Sequence, residues 1–129
     1  MELASGRKES MEVFGNDYNT VDGTGVRDYI HVSDLATAHL KALDYLSKNK
    51  KCVTLNLATG TGYSVLEVIK KAEEISGKNI TYDIVKRRPG DPAKLVATSK
   101  LAFDLLDWDP KYSSLETLLS SMWNIYNNE

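Results

Sequence analysis

The feature that most constrains the fold is a unit in the middle of the chain. An apolar run, Cys52-Val53-Thr54-Leu55-Asn56-Leu57-Ala58, leads into the turn Gly60-Thr61-Gly62-Tyr63 and then into Ser64-x-x-Glu67. Serine followed three residues later by glutamate is a capping box: each side chain satisfies a backbone N–H that the first helical turn leaves unpaired. Val65, Val68, Ile69, Ala72 and Ile75 then recur at helical spacing, and Gly77 supplies a stop. A strand, a turn and a capped amphipathic helix in that order point to an α/β chain.

The rest of the sequence repeats this alternation. Met11–Phe14 reads as a short strand and 15–25 as a long turn-rich loop, a kind that in compact domains is usually functional or mobile. Val26–Val32 reads as a second strand, rich in β-formers. Ser33 is the expected cap of a helix to about Lys48, with Leu35, His39, Ala42, Leu43 and Leu46 on its apolar face. Cys52–Ala58 is expected to be a buried strand, and Ile80–Lys86 another. Arg87-Arg88-Pro89-Gly90-Asp91-Pro92 is a charged loop stiffened by two prolines. Ser99 starts a short helix with Leu101, Leu105 and Leu106 inward. Ser113 with Glu116 reads as a second capping box, ahead of a helix carrying Leu115, Leu118, Leu119, Met122, Trp123 and Tyr126 on one face. The expectation is three or four short strands with four helices.

Composition narrows the functions. The 129 residues carry 16 Lys plus Arg and 18 Asp plus Glu, a net charge of −2. That balance supplies no basic field for nucleic acid. No apolar run approaches the ~20 residues of a membrane span, and the polar start has no signal-peptide core. The one cysteine, Cys52, allows no internal disulfide and no cysteine-rich metal site. Together these point to the cytosol.

Four candidate motifs follow. Gly60-x-Gly62 lacks the third glycine of a dinucleotide fingerprint, since that position is Val65, so a structural turn is the better reading. Tyr82-x-x-x-Lys86 resembles an acid/base pair, but it falls in a strand, where four positions span ~13 Å and the lysine cannot support the tyrosine. His31 and His39 read as packed, hydrogen-bonded histidines rather than ligands, and Cys52 as inert packing. Arg27 and Arg88 are each presented by a loop. Two guanidinium groups so placed suit an anion with several oxygens, such as a diphosphate, although pairing with nearby aspartates is the commoner fate of arginines.

The segment Val13-Phe14-Gly15-Asn16-Asp17-Tyr18, then Asp22-Gly23-Thr24-Gly25-Val26-Arg27-Asp28-Tyr29-Ile30-His31-Val32 with Asp34-Leu35-Ala36, strongly resembles the UDP-glucose 4-epimerases (UDP-galactose 4-epimerases). Asn56-Leu57, Gly60-x-Gly62, Ser64-Val65, Arg87-Arg88-Pro89-Gly90-Asp91, Ser99-Lys100-Ala102 and Leu106-x-Trp108 follow in that family's order, within the extended short-chain dehydrogenase/reductases. The resemblance runs from about Ala4 to the end of the chain. It implies that residues 1–129 are the carboxy-terminal, UDP-sugar-binding portion of a longer enzyme. It also implies an α/β fold lacking most of the Rossmann sheet, together with the glycine-rich NAD loop and the catalytic Tyr-x-x-x-Lys.

That family interconverts UDP-glucose and UDP-galactose. NAD takes the hydride from C4 while a tyrosine takes the 4-OH proton, and the keto sugar turns over before the hydride returns. Carried over by position, Glu12, Val13 and Phe14 correspond to the segment that packs on uracil. Arg27 and Arg88 correspond to the diphosphate ligands, with Tyr29 beside them, and Asp91 to the acceptor of the ribose hydroxyls. The resemblance thus implies UDP or a UDP-hexose as partner and NAD in the full-length enzyme, with no cofactor and no epimerisation expected of this chain alone. A non-catalytic UDP-binding module and a ligand-free swapped oligomer are the alternatives. The faces that Rossmann strands would cover are expected to be exposed, favouring a homo-oligomer or swapped dimer.

Overall fold

Two short strands that start helix-separated segments lie side by side in a computed structural model, which describes residues 1–127. The element order is β1 (Met11–Phe14), β2 (Val26–Asp28), α1 (Val32–Asn49), β3 (Gly62–Ser64), α2 (Val65–Ser76), β4 (Tyr82–Val85), β5 (Lys94–Leu95), α3 (Lys100–Leu106) and α4 (Leu115–Tyr126). β1 pairs in parallel with β4, from Met11 opposite Tyr82 to Phe14 opposite Val85. β2 lies between β3, antiparallel, and β5, parallel. The α/β expectation holds, built on two small sheets.

The main core joins β1 to α2 and α4. Val13 is 1% exposed and packs with Ile69, Ala72, Ile80, Leu115 and Leu119. Burying a side chain such as valine fully contributes roughly 1.5–3 kcal/mol. A second cluster, Ala38, Ala102, Leu106 and Trp108, joins α1 to α3. Trp108 is also 1% exposed, and its indole N–H donates to the Asp34 carbonyl at 3.0 Å and to Thr37 Oγ1 at 3.2 Å.

Asp34 ties the two clusters together. Its buried carboxylate accepts from the Lys111 N–H (3.0 Å), the Tyr112 N–H (2.8 Å) and the Ser113 hydroxyl (2.6 Å). Burial works to raise the Asp34 carboxyl pKa, but these three donors outweigh it and hold the group below its ordinary value. His31 bridges the same seam: its N–H donates to Ser113 Oγ at 2.9 Å and its Nε2 meets Ser121 Oγ at 3.0 Å.

Several sequence expectations are met and several are corrected. The Ser64–Glu67 capping box forms with both bonds, and Gly77 ends α2 in the left-handed region. The cap of α1 is His31, whose Nδ1 accepts from the Ser33 N–H, and not Ser33 itself. The cap of α4 is Ser114, accepting from the Thr117 N–H, because Ser113 is engaged by Asp34. The second strand stops at Asp28, short of Val32, and the short strands β3, where a turn was expected, and β5 were not expected.

Cys52–Ala58 is not a strand, since no neighbouring strand is hydrogen-bonded to it among the described residues. Cys52 is accordingly exposed rather than packed. His39 is exposed too, bonded through Nδ1 to the Leu35 carbonyl of its own helix at 2.7 Å. On α1 the covered positions are Asp34 and Ala38 with Ala42 and Tyr45, while Leu43 is 64% exposed. On α3 Ala102 and Leu106 turn inward, whereas Leu101 and Leu105 are exposed. On α4 Leu115 and Leu119 are buried and Met122 is exposed.

Candidate functional site

Because β1 and β4 run parallel, both leave the sheet at the same end, and the segments that follow them emerge side by side. One is the loop 15–25, the other the stretch from Lys86 to Asp91. The first loop closes on itself. The Tyr18 N–H donates to the Gly23 carbonyl at 2.9 Å, and Asp22 accepts from the Thr24 N–H (2.9 Å) and hydroxyl (2.7 Å) and from Ser64 Oγ. Gly23, at φ +79°, has the Asn16 carbonyl where a Cβ would stand. The far end of the loop is thereby fastened to the start of α2, and β2 carries Arg27 out beside it.

A cleft of about 400 Å³ opens beside β1 and β2, edged by Arg88 and Asp91, with Val65, Ile69 and Leu119 of the main core beneath it. All seven residues singled out from the sequence line it: Glu12, Val13, Phe14, Arg27, Tyr29, Arg88 and Asp91. Asp91 stands between the two arginines. One carboxylate oxygen takes the Arg27 guanidinium, and the other takes Arg88 Nη2 at 3.0 Å. The Arg88 guanidinium carbon lies 4.6 Å from the Phe14 ring centroid, a cation–π contact. Arg27 also donates to the Val26 carbonyl at 2.7 Å.

Two guanidinium groups, Arg27 and Arg88, and two carboxylates, Glu12 and Asp91, line the cleft, and Asp91 is the carboxylate the two arginines share. The hydrogen bond from Arg88, and then Arg27, hold the Asp91 carboxyl below its ordinary value against the opposing effect of burial. Asp91 is therefore an acceptor only at neutral pH. Burial raises the Tyr29 phenol above its ordinary range, with the Arg27 charge pulling the other way. A site of two convergent guanidiniums, an aromatic ring and a fixed carboxylate suits an anion joined to a hydroxylated or flat group.

The other motifs are structural. The Asp28 carboxylate accepts from the Thr59 N–H (3.1 Å), the Thr59 hydroxyl (2.6 Å) and the Gly60 N–H (3.2 Å). A carboxylate already occupies the amides that a phosphate would need, so the Gly60-Thr61-Gly62 turn does not fit a dinucleotide. A Cβ on Gly62 would meet Val96 and Val26, which is why glycine stands where β3 joins β2. Tyr82 lies on β4 and Lys86 just beyond it, along an extended chain as expected. Among the described residues no group of three or more His, Cys, Asp or Glu could hold a metal, and no helix is long and apolar enough to cross a membrane.

Sequence reasoning missed the residues that brace the cleft, namely Asp22, Asp28 and Arg87. The Asp22-Gly23-Thr24 stretch carried a usable signal, because an aspartate can bond the backbone two residues on. Nothing local marks Asp28 or Arg87, whose partners are 31 and 70 positions away.

Comparison with known proteins fits this geometry. The family model for GDP-mannose 4,6 dehydratase matches residues 1–122. The chain is 46% identical over 124 residues to the UDP-glucose 4-epimerase of Halalkalibacterium halodurans, covering 96% of this chain and 37% of that protein. It is 48% identical over 122 residues to the human UDP-glucose 4-epimerase, covering 95% and 35%. The structure of the Bifidobacterium longum UDP-glucose 4-epimerase in complex with NAD+ and UDP superposes with a TM-score of 0.91 at 42% identity, over 99% of this chain and 38% of that one. The Stenotrophomonas maltophila enzyme, with bound NAD and formylated UDP-arabinopyranose, gives 0.92 at 42% identity, over 98% and 38%. The chain thus spans little more than a third of the length of these relatives. It belongs to the GDP-mannose 4,6 dehydratase family, and within that family it is similar to UDP-glucose 4-epimerases.

Proposed function

We propose that this chain is the UDP-sugar-binding portion of a UDP-glucose 4-epimerase and that its cleft holds the nucleotide diphosphate. The observation that carries this reading is the convergence of Arg27 and Arg88 on one cleft, across Asp91 and beside Phe14. The diphosphate bridges the two guanidiniums, each charge-assisted hydrogen bond contributing roughly 1.5–3 kcal/mol. The segment Glu12–Phe14 packs on uracil, Asp91 accepts from the ribose hydroxyls, and Tyr29 flanks the diphosphate. The grip on UDP lets the sugar end turn over without leaving.

The hydride step of the relatives belongs to NAD. The Gly60-Thr61-Gly62 turn does not fit that cofactor, and no catalytic Tyr-x-x-x-Lys is carried over onto this chain. On this reading the chain alone, a cytoplasmic polypeptide, binds and orients but does not turn over. Measurable epimerisation by the pure chain would refute that half of the proposal.

The direct test is isothermal titration of the purified chain with UDP. Micromolar binding, about −8 kcal/mol, is expected, with Arg88→Ala weaker by about tenfold or more. Absence of heat with the unaltered chain at millimolar UDP would overturn the reading of the cleft.

A further inference from the structure

Arg87 and Arg88 are neighbours that point to different work. Arg88 faces the cleft, stacked on Phe14 and bonded to Asp91. Arg87 turns to the loop that follows β1. Its Nε donates to Asp17 Oδ1 at 2.5 Å, its Nη2 reaches the Asp17 carbonyl, and its guanidinium carbon lies 3.9 Å from the Tyr18 ring centroid. One side chain thus holds a carboxylate, a carbonyl and an aromatic face of the same turn. A planar, multi-donor guanidinium makes all three contacts at once, which a lysine ammonium cannot.

The turn is shaped to receive it. Gly15 sits at φ +84°, and a Cβ there would stand 2.6 Å from Arg87 Cγ and 2.9 Å from Tyr18 Cε2. Only a residue without a side chain lets Arg87 cross at this point. The Gly15 N–H also donates to the Val85 carbonyl at 2.8 Å, extending the β1–β4 ladder by one bond up to the crossing. Tyr18 is buried, 6% exposed, under the guanidinium. The far end of the loop is already fastened by Asp22 to Ser64 and Thr24, so Arg87 is the second anchor, at the near end.

We propose that Arg87 is a positioning residue for the cleft: clamped on Asp17 and Tyr18, it fixes the 87–91 stretch against the end of β1, so that Arg88, Asp91 and Phe14 meet. This rests on the reading of the cleft as a UDP site. Arg88 immediately follows Arg87, and Arg87 crosses at Gly15, the residue after Phe14, before reaching Asp17 and Tyr18, so the crossing lies one residue from each partner of the Arg88–Phe14 stack. Arg87 itself is absent from the cleft lining, and its effect on a ligand is indirect.

The test separates positioning from simple attraction of an anion. In the full 129-residue chain, Arg87→Ala and Asp17→Asn are each titrated with UDP, and residue-resolved amide exchange is recorded without ligand. Arg87→Ala removes a positive charge near the cleft, whereas Asp17→Asn removes a negative one. Attraction alone makes the first weaker and the second tighter. Positioning makes both weaker, by about tenfold for Arg87→Ala and less for Asp17→Asn, which leaves the stack on Tyr18 in place. In an Arg88→Ala background, Arg87→Ala is expected to cost less than it does in the unaltered chain, because one of the groups it positions has gone.

Amides of Gly15 and Tyr18 are expected to exchange faster in Arg87→Ala, while those of α2 and α4 do not change. Unchanged affinity in Arg87→Ala, tighter binding in Asp17→Asn, or full additivity with Arg88→Ala would each overturn the proposal. If the unaltered chain takes up no UDP, the reading of the cleft fails. The clamp is then judged by exchange alone: acceleration confined to 14–25 and 86–91 sustains it, and none defeats it.

Discussion

The cluster formed by β1, α2 and α4 has the larger buried core, whereas the one formed by α1 and α3 stays open along one side. In the first, Val13, Ile69, Ala72, Ile80, Leu115 and Leu119 are buried, and further apolar residues pack around them. In the second, four residues are buried, two of them alanines. Around them Leu40, Leu43, Leu46, Val53, Leu101 and Phe103 present apolar surface to solvent. An apolar trough of about 300 Å³ runs between α1 and the extended stretch 52–57. The difference teaches where this chain is self-sufficient. The half that builds the cleft carries its own floor, while the other half has an apolar face with no layer over it among the described residues. Domains are stable as packed layers, and a helix with one uncovered apolar side is an unfinished layer.

The largest expected effect comes from removing the largest buried side chain in the open half. Trp108→Ala takes away a fully buried indole together with its bonds to the Asp34 carbonyl and Thr37. A loss of about 3–5 kcal/mol is expected, enough to consume much of a small domain's stability. Urea denaturation checks it. If the two halves are one cooperative unit, the UDP site is lost with the same midpoint. If UDP binding survives where the helical signal of α1 and α3 has gone, the cleft half stands by itself and the comparison sharpens.

Acid tests the seam between the halves. The Asp34 carboxyl has a folded pKa below its ordinary 3.8, held there by the Ser113 hydroxyl and two backbone N–H groups against burial. Its ionised form therefore favours the folded state. That contribution is complete above about 3.8 and is lost as pH falls through the lower folded value. Asp22, lowered mainly by Ser64 and Thr24 against burial, adds in the same direction. Urea midpoints measured from pH 6 downwards are expected to fall below about pH 4. Asp34→Asn is expected to flatten part of that acid limb while lowering stability at neutral pH, because its amide puts a donor against the three donors that face this site. An acid limb identical in the variant would remove Asp34 from the account of the seam.

What could be read in the sequence divides along the same line. The Ser64–Glu67 box and Gly77 were legible because their bonds run between residues three or four apart. Ser113 has the same local signal as Ser114 but is claimed by Asp34, 79 positions away, and so the cap moves by one residue. His31 takes the cap of α1 in the same manner while also bridging to Ser113 and Ser121. The run 52–58 has a strand's composition, but a strand exists only with a partner, and none is hydrogen-bonded to it among the described residues. Arg27 and Arg88 stood out as loop-borne guanidiniums, but the other five cleft residues were placed by family resemblance, since nothing in the spacing of Arg27 and Arg88 says that Asp91 will stand between them. The braces Asp28 and Arg87 have no local mark at all.

The smallest expected effect on stability belongs to the open face, and it discriminates most. Leu43 on α1 is 64% exposed, and lysine has nearly the helix propensity of leucine, so Leu43→Lys is expected to change stability by within about 0.5 kcal/mol. Its effect on association should be larger, because a charge must be desolvated wherever this face is covered by a second copy. Light scattering is expected to find the unaltered chain as a dimer or larger, and Leu43→Lys shifted towards the monomer. Val21, wholly exposed at the tip of the loop 15–25, serves as the comparison: Val21→Lys adds the same charge away from the apolar face and should leave the size distribution as it was. Equal shifts in both variants would assign the association to net charge rather than to the uncovered side of α1. A monodisperse monomer in the unaltered chain would mean that this face stays wet, and that being unfinished does not make it self-adhesive.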